Sequence, residues 1–123
     1  MLSPRKAFLA GLFGTDTTNV NTTCAVDISG KVTYLADMLV KGEPGVYYDQ
    51  ANNSVLAFGG GYMDPFCTFQ IYSLARDSWR IMPQTMKYAR SGFTPCQFLN
   101  TLYLIGGPTA QVESFSLKTS TFL

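Results

Sequence analysis

The sequence predicts an all-β fold built from a repeated unit of four short antiparallel strands, and three observations support this prediction. First, similar segments recur: Gly59 precedes Gly106 by 47 residues, and Trp79 precedes Phe122 by 43. Second, short runs of β-branched and aromatic residues alternate with turn residues. Third, no apolar pattern with a period of 3.6 residues has the length of a helix. Repeats of this length are typical of propeller blades, among other repeat classes.

The clearest unit is predicted over residues 44–84. Its first two strands, Gly45–Asp49 and Ser54–Phe58, are separated by the turn-like residues 50–53 and form a hairpin. Glycines end the second strand, and a polar loop leads to a third strand at 68–73. A turn at 75–77 then leads to a fourth strand at 78–82, which Pro83 ends.

The next unit, residues 88–123, has the same layout. Its strands are predicted at 92–98, Thr101–Ile105, 111–117 and 120–123. In both units, a Gly pair is followed by two aromatic residues that are seven positions apart. The pairs are Gly59-Gly60 with Tyr72 and Trp79, and Gly106-Gly107 with Phe115 and Phe122.

A degenerate unit is predicted upstream, at residues 7–40, after a tail at residues 1–6. Phe13-Gly14 lies 45 residues before Phe58-Gly59, and Tyr34 lies 45 residues before Trp79. Asp27 occupies the place of Tyr72, which departs from the pattern. Both ends of this unit therefore lie 45 residues before their counterparts in the next unit, although the motif itself is incomplete.

The repeated residue types have physical reasons. Glycines at a strand end permit positive backbone angles and the close approach of other chain segments. Tyr72 and Trp79, on either side of a tight turn, are expected on adjacent antiparallel strands, packed between one sheet and the next.

At these residues the chain resembles the kelch-repeat family, whose signature is an apolar run ending in a Gly pair, then a Tyr and then a Trp. The family's strand that opens near an arginine corresponds here to the segment that starts at Arg90. The resemblance implies four-stranded blades of a β-propeller, and about three of them fit in this chain. Since propellers typically have four to eight blades, we expect part of a longer propeller, or a ring completed by association.

The resemblance also implies a role in protein binding. The family binds through loops on one face, which correspond to residues 61–66, 82–88 and 108–111. The aromatic and polar candidates for contact with a partner are Tyr62, Met63, Asp64, Phe66 and Tyr88. Arg90 is interpreted as a structural residue in preference to a clamp for an anion. A purely architectural role within a larger propeller is the alternative that the sequence leaves open.

Composition argues against catalysis, the contrasting hypothesis. Some kelch propellers are copper oxidases or sugar isomerases, but the chain has no His, which copper sites and most acid-base chemistry near neutral pH use. Its eight carboxylates are scattered, mostly at turns, and Gly59-Gly60-Gly61 precedes neither a helix nor a Lys, unlike a phosphate-binding loop. We therefore expect no enzyme activity, no cofactor and no metal site.

Charge and cysteine content bear on partners and compartment. Nine Lys and Arg against eight Asp and Glu give a net charge of +1, so nucleic acid is not an expected partner. No apolar segment is long enough to span a bilayer. Cys24, Cys67 and Cys96 are odd in number and widely spaced, which predicts three buried thiols in a reducing, cytoplasmic environment. Arg5-Lys6 before the apolar run 7–13 resembles the start of a signal peptide, but no small-x-small cleavage site follows.

Overall fold

The computed structural model describes residues 6–10, 21–61 and 65–123. In these residues the fold is all-β, which confirms the predicted class: the strands form three antiparallel sheets, and no segment is helical. The sheets follow one another along the chain, and within each the strands are neighbours in chain order.

The first sheet contains β1 (Lys6–Ala10), β2 (Thr23–Asp27) and β3 (Val32–Leu35). Tyr34 lies opposite Cys24 and is 75% exposed, whereas Asp27 has no partner on β3. The constant offset that equates Tyr34 with Trp79 therefore fails in the sheet register. Four residues separate β2 from β3 and β6 from β7, but Trp79 pairs with Tyr72 whereas Tyr34 pairs with Cys24 and not with Asp27. The upstream Gly14 motif lies outside the described residues.

The second sheet contains β4 (Gly45–Asp49), β5 (Ser54–Phe58), β6 (Phe69–Ser73) and β7 (Ser78–Ile81). These bounds match the predicted strands to within one residue. Tyr72 and Trp79 are directly opposite each other on β6 and β7, with ring centroids 5.3 Å apart, as their spacing predicts.

The third sheet contains β8 (Cys96–Phe98), β9 (Thr101–Ile105), β10 (Val112–Ser116) and β11 (Thr121–Phe122). Strand β8 is shorter than the predicted 92–98, since Gly92 has a φ of +62° and Pro95 cannot donate to a strand ladder. Asp77 and Ser120, 43 residues apart, both have positive φ (48° and 55°), so the last hairpins of the two sheets share a turn conformation.

Two apolar layers join the sheets. One lies between the second and third sheets and contains Leu56, Phe58 and Phe69 together with Leu102, Leu104 and Phe115. The Phe58 and Phe69 rings stack at 4.8 Å, and the edge of Phe115 meets Phe69 at 5.1 Å. The other layer lies between the first and second sheets and contains Val55, Ala57, Tyr72 and Trp79. The second sheet is thus buried on both faces, which explains the continuous apolar run on β5.

The cysteines differ from the prediction of three buried thiols. Cys24 is buried, but Cys67 is half-buried and Cys96 is exposed; all three are free. Cys96 lies on β8, whose three residues are all exposed, so the prediction was wrong at this position because the third sheet is covered on one face only.

Candidate interaction surface

Two loops meet at the backbone of Arg90. The Arg90 amide donates to the carbonyl of Phe66 at 3.1 Å, and the Arg90 carbonyl accepts from the amide of Gly60 at 3.0 Å. The loop between β5 and β6 is thereby held against the connection between β7 and β8. These are two of the loops that the sequence assigns to the binding face.

The guanidinium of Arg90 holds the third loop. It donates to the carbonyl of Gly106 at 3.0 Å and to the carbonyl of Gln111 at 2.7 Å. It also donates from Nε and Nη2 to the Glu113 carboxylate on β10. The side chain is fully buried, which leaves it no surface on which to bind an anion from solvent. The geometry therefore gives Arg90 a structural role, that of fixing three loops in one arrangement.

Glu113 fixes the segment before Arg90 from the other side. Its Oε1 accepts from the amide of Lys87 at 2.6 Å, and its Oε2 accepts from the amide of Tyr88 at 3.0 Å. Backbone amides and a guanidinium thus surround this carboxylate, and charge-assisted hydrogen bonds of this kind are stronger than neutral ones. The loop at 85–88 is consequently attached to β10.

A groove of about 450 Å³ runs between this loop and the strands β10 and β11. Lys87, Tyr88, Gln111 and Glu113 form its polar part. The Lys87 ammonium lies 5.8 Å from the centre of the Tyr88 ring, close enough for a cation–π contact. The groove therefore offers an aromatic ring, a cation and the side-chain amide of Gln111 to a ligand.

The predicted contact residues are only in part within the described chain. Phe66 is 41% exposed, and Tyr88 is half-buried and lines the groove. The pairing of Phe66 with Arg90 places these two aromatic residues on neighbouring loops. Tyr62, Met63 and Asp64 lie outside the described residues.

The glycines of the repeat allow this loop packing. A Cβ atom on Gly59, whose φ is +76°, would lie 2.2 Å from the carbonyl oxygen of Arg90. A Cβ on Gly60 would lie 2.8 Å from the carbonyl oxygen of Lys41, and one on Gly107 would lie 2.9 Å from that of Ser91. By contrast, a Cβ on Gly106 meets nothing within 4 Å. Three of the four motif glycines are thus required by close backbone approach.

Two polar contacts between the second sheet and the segment after β3 have no signal in the sequence. Buried Gln70 accepts from the amides of Leu39 and Val40 and donates to the carbonyl of Val40. Asp77 accepts from the amide of Ala36 at 2.9 Å, and the indole Nε1 of Trp79 donates to the carbonyl of Ala36, also at 2.9 Å. The partners in each contact are 30 or more residues apart in the sequence, so these contacts are visible only in the folded structure.

Asp77 also accepts a hydrogen bond from the Tyr72 hydroxyl. That bond, with the Ala36 amide second, lowers the pKa of Asp77. Burial first, and then the bond to Asp77, raise the pKa of the Tyr72 phenol well above its ordinary value. Asp27 has a similar turn role, since Ser29 and the Lys31 amide donate to its carboxylate and lower its pKa.

Among residues 6–10, 21–61 and 65–123, no three His, Cys, Asp or Glu side chains are grouped so that they could hold a metal ion. The same part of the chain has no helix with the length and apolar character needed to cross a membrane. No protein-family model matches the sequence, and no curated protein matches it significantly.

Proposed function

We propose that this chain forms kelch-type blades of a β-propeller and that it binds a protein partner through the loops at residues 61–66, 82–88 and 108–111. The observation that carries the proposal is the convergence of these loops on Arg90. Because hydrogen bonds to Arg90 hold the backbone at Phe66, Gly106 and Gln111, the described part of this surface is preorganised, which reduces the entropy lost on binding.

The chemistry of the surface favours a protein as the ligand. Phe66 is exposed beside the connection that carries Tyr88, and Lys87 and Gln111 supply polar groups at the adjacent groove. Aromatic residues surrounded by polar ones are typical of protein interfaces. The net charge of +1 does not favour nucleic acid.

Binding is a better account of this surface than catalysis. The Glu113 carboxylate at the groove already accepts two backbone amides and the Arg90 guanidinium, so it has a structural role. The 123 residues contain no His that could act as a general base.

The experiment is an affinity capture with the purified parent chain and with the double variant Phe66→Ala/Tyr88→Ala, followed by identification of retained proteins by mass spectrometry. Leu99→Ala is the matched control, because Leu99 is 77% exposed in the β8–β9 turn, at the opposite end of the third sheet from the loops. The proposal predicts proteins that the parent and the control retain and the double variant loses.

Equal recovery by the parent and the double variant contradicts the proposed surface. Urea denaturation of all three chains shows whether a loss of binding comes from a loss of folding. Both changes are at partly exposed side chains on loops, so midpoints close to that of the parent are expected.

A further inference from the structure

We propose that the open face of the third sheet packs against the first sheet of a second copy of this chain, so that two copies associate head to tail. The inference rests on the propeller architecture proposed above, but it concerns a surface distinct from the binding loops.

The open face is formed by the side chains on β8, β9 and β10 that point away from the second sheet. Tyr103, Ile105 and Val112 belong to this face and are 36%, 52% and 59% exposed. Phe98, on β8, adds an aromatic ring that is 66% exposed. Thr101 and Ser114, opposite Phe98 and Tyr103, are polar residues on the same face. An exposed sheet face that is largely apolar in this way is typical of an interaction surface.

The repeat indicates which kind of surface packs against this face. Ile105 and Val112 are paired on β9 and β10 as Phe58 and Phe69 are paired on β5 and β6. Tyr103 likewise occupies the place of Leu56, 47 residues earlier. In the second sheet, these three positions form the layer that is buried against the third sheet. The open face thus repeats an interface that already exists within the molecule, and its counterpart is another sheet of the same kind.

A second copy supplies such a sheet. On β3, Leu35 packs towards the second sheet, while Val32 and Tyr34 are 46% and 75% exposed on the other face. Cys24, opposite Tyr34 on β2, is buried, so the exposed part of that face is on β3. Because Tyr34 and Leu35 are consecutive on a strand, they point to opposite faces. Within one copy, the second sheet covers the face of the third sheet that carries Leu102 and Phe115. The Tyr34 face of the first sheet points in the same direction along the stack of sheets, so it is the equivalent face of the first sheet.

The number of copies follows from closure. A head-to-tail contact forms a ring if the rotation closes and a filament if it does not. Each copy contributes three sheets, so two copies give six, within the usual four to eight blades, whereas three copies give nine. We therefore expect a closed dimer with two equal interfaces.

The test measures mass by light scattering after size-exclusion chromatography, over a range of protein concentrations. The parent is expected at twice the chain mass of 13.5 kDa. Ile105→Lys places a charge in the interface, so this variant is expected at the mass of one chain. Ile81→Lys is the matched control: Ile81 is 48% exposed on β7, at the outer edge of the second sheet, and the same change there should leave the dimer intact.

Tyr34→Lys tests the other half of the contact and should also give single chains. A mixture of Ile105→Lys and Tyr34→Lys chains can form one unaltered interface, so a mixed dimer should reappear at higher concentration. Circular dichroism checks that each variant is folded. If Ile105→Lys does not fold, Val112→Lys is a second probe of the same face.

A parent that remains a single chain at every concentration overturns the proposal, as does a dimer that survives both Ile105→Lys and Val112→Lys. A dimer lost in Ile105→Lys but kept in Tyr34→Lys overturns the head-to-tail arrangement, since the third sheets would then meet each other. None of these results decides the loop proposal, because Phe66 and Tyr88 are not on this face.

Discussion

Arg90 and Glu113, 23 residues apart in the chain, form a buried ion pair in which Nη2 and Oε2 are separated by 3.2 Å. Through it, the connection after the second sheet is attached to the middle of the third. The same arginine bonds to the loop between β9 and β10, so one side chain determines how the loops of two sheets are placed relative to each other.

Replacement of this arginine tests its structural role. Arg90→Met keeps much of the side-chain length but leaves the Glu113 carboxylate and two carbonyl groups without their partner. Loss of one member of a buried pair typically costs about 3 to 5 kcal/mol, so the free energy of unfolding should fall by that amount in urea titrations. Arg80→Met is the control, because Arg80 is exposed on β7 and a change there should alter stability by less than about 0.5 kcal/mol. Equal effects of the two changes would show that the buried pair does not stabilise the fold.

Trp79 tests the packing between the first and second sheets. The Trp79→Ala variant should lose about 3 to 5 kcal/mol of unfolding free energy, since a buried large aromatic is removed. Trp79→Phe retains an aromatic ring but removes the indole donor to Ala36, so it should lose less. An unchanged urea midpoint for Trp79→Ala would contradict the placement of β7 against the first sheet.

Gly59 tests the close approach of the loops. Gly59 and Gly30 have similar φ angles, +76° and +85°, but a Cβ on Gly30 meets nothing within 4 Å, whereas one on Gly59 collides with the Arg90 carbonyl. Both alanine variants carry the backbone strain of a positive φ, of order 1 to 3 kcal/mol. Gly59→Ala should be less stable than Gly30→Ala by a further 1 to 3 kcal/mol or so, from overpacking. Similar urea midpoints for the two variants would show that Gly59 is not in contact with Arg90.

The pair of Tyr72 and Asp77 predicts the pH dependence of stability. The pKa of Asp77 is lower in the folded chain than in the unfolded one, so its contribution is present above about pH 4 and is lost as the pH falls through the folded value. The pKa of Tyr72 is raised, so its contribution is present below about pH 10 and is lost as the pH rises through the folded value.

Tyr72→Phe removes the Tyr72 contribution and the larger part of the Asp77 contribution, because the phenol is the main cause of the lowered pKa of Asp77 and the Ala36 amide is the second. Urea midpoints measured across the pH range should therefore fall less steeply towards both acid and alkali in this variant than in the parent. Asp77→Asn is the companion variant and should flatten the acid side. Identical pH profiles for the parent and Tyr72→Phe would contradict the hydrogen bond between the two side chains.

The sequence was sufficient to predict the all-β class and most strands of the second and third sheets, because their apolar runs, turns and glycines follow a local pattern. The opposition of Tyr72 and Trp79 follows from a seven-residue spacing across a turn. The register of the first sheet was not predictable in this way, since Tyr34 pairs with Cys24 and not with the residue seven positions before it, although the connections between the strands are equally long in the two sheets.

The features that the sequence did not predict are contacts between segments that are distant in the chain. The interaction of Gln70 with residues 39 and 40, and that of Asp77 with Ala36, depend on how the segment after β3 packs on the second sheet, and no spacing encodes them. Cysteines are buried on average, but this tendency does not show whether another segment covers the third sheet. The exposure of Cys96 depends on that cover and was therefore not predictable. The convergence of the loops on Arg90 became visible only through its bonds to Phe66, Gly106 and Gln111.

The central claim, that the loops around Arg90 bind a protein, is tested most directly by hydroxyl-radical footprinting of the chain with and without a partner recovered by affinity capture. Phe66 and Tyr88 should be oxidised more slowly in the complex, while the exposed Leu99 at the other end of the third sheet should react at the same rate in both states. Protection of other side chains, with Phe66 and Tyr88 as reactive in the complex as in the free chain, would contradict the claim.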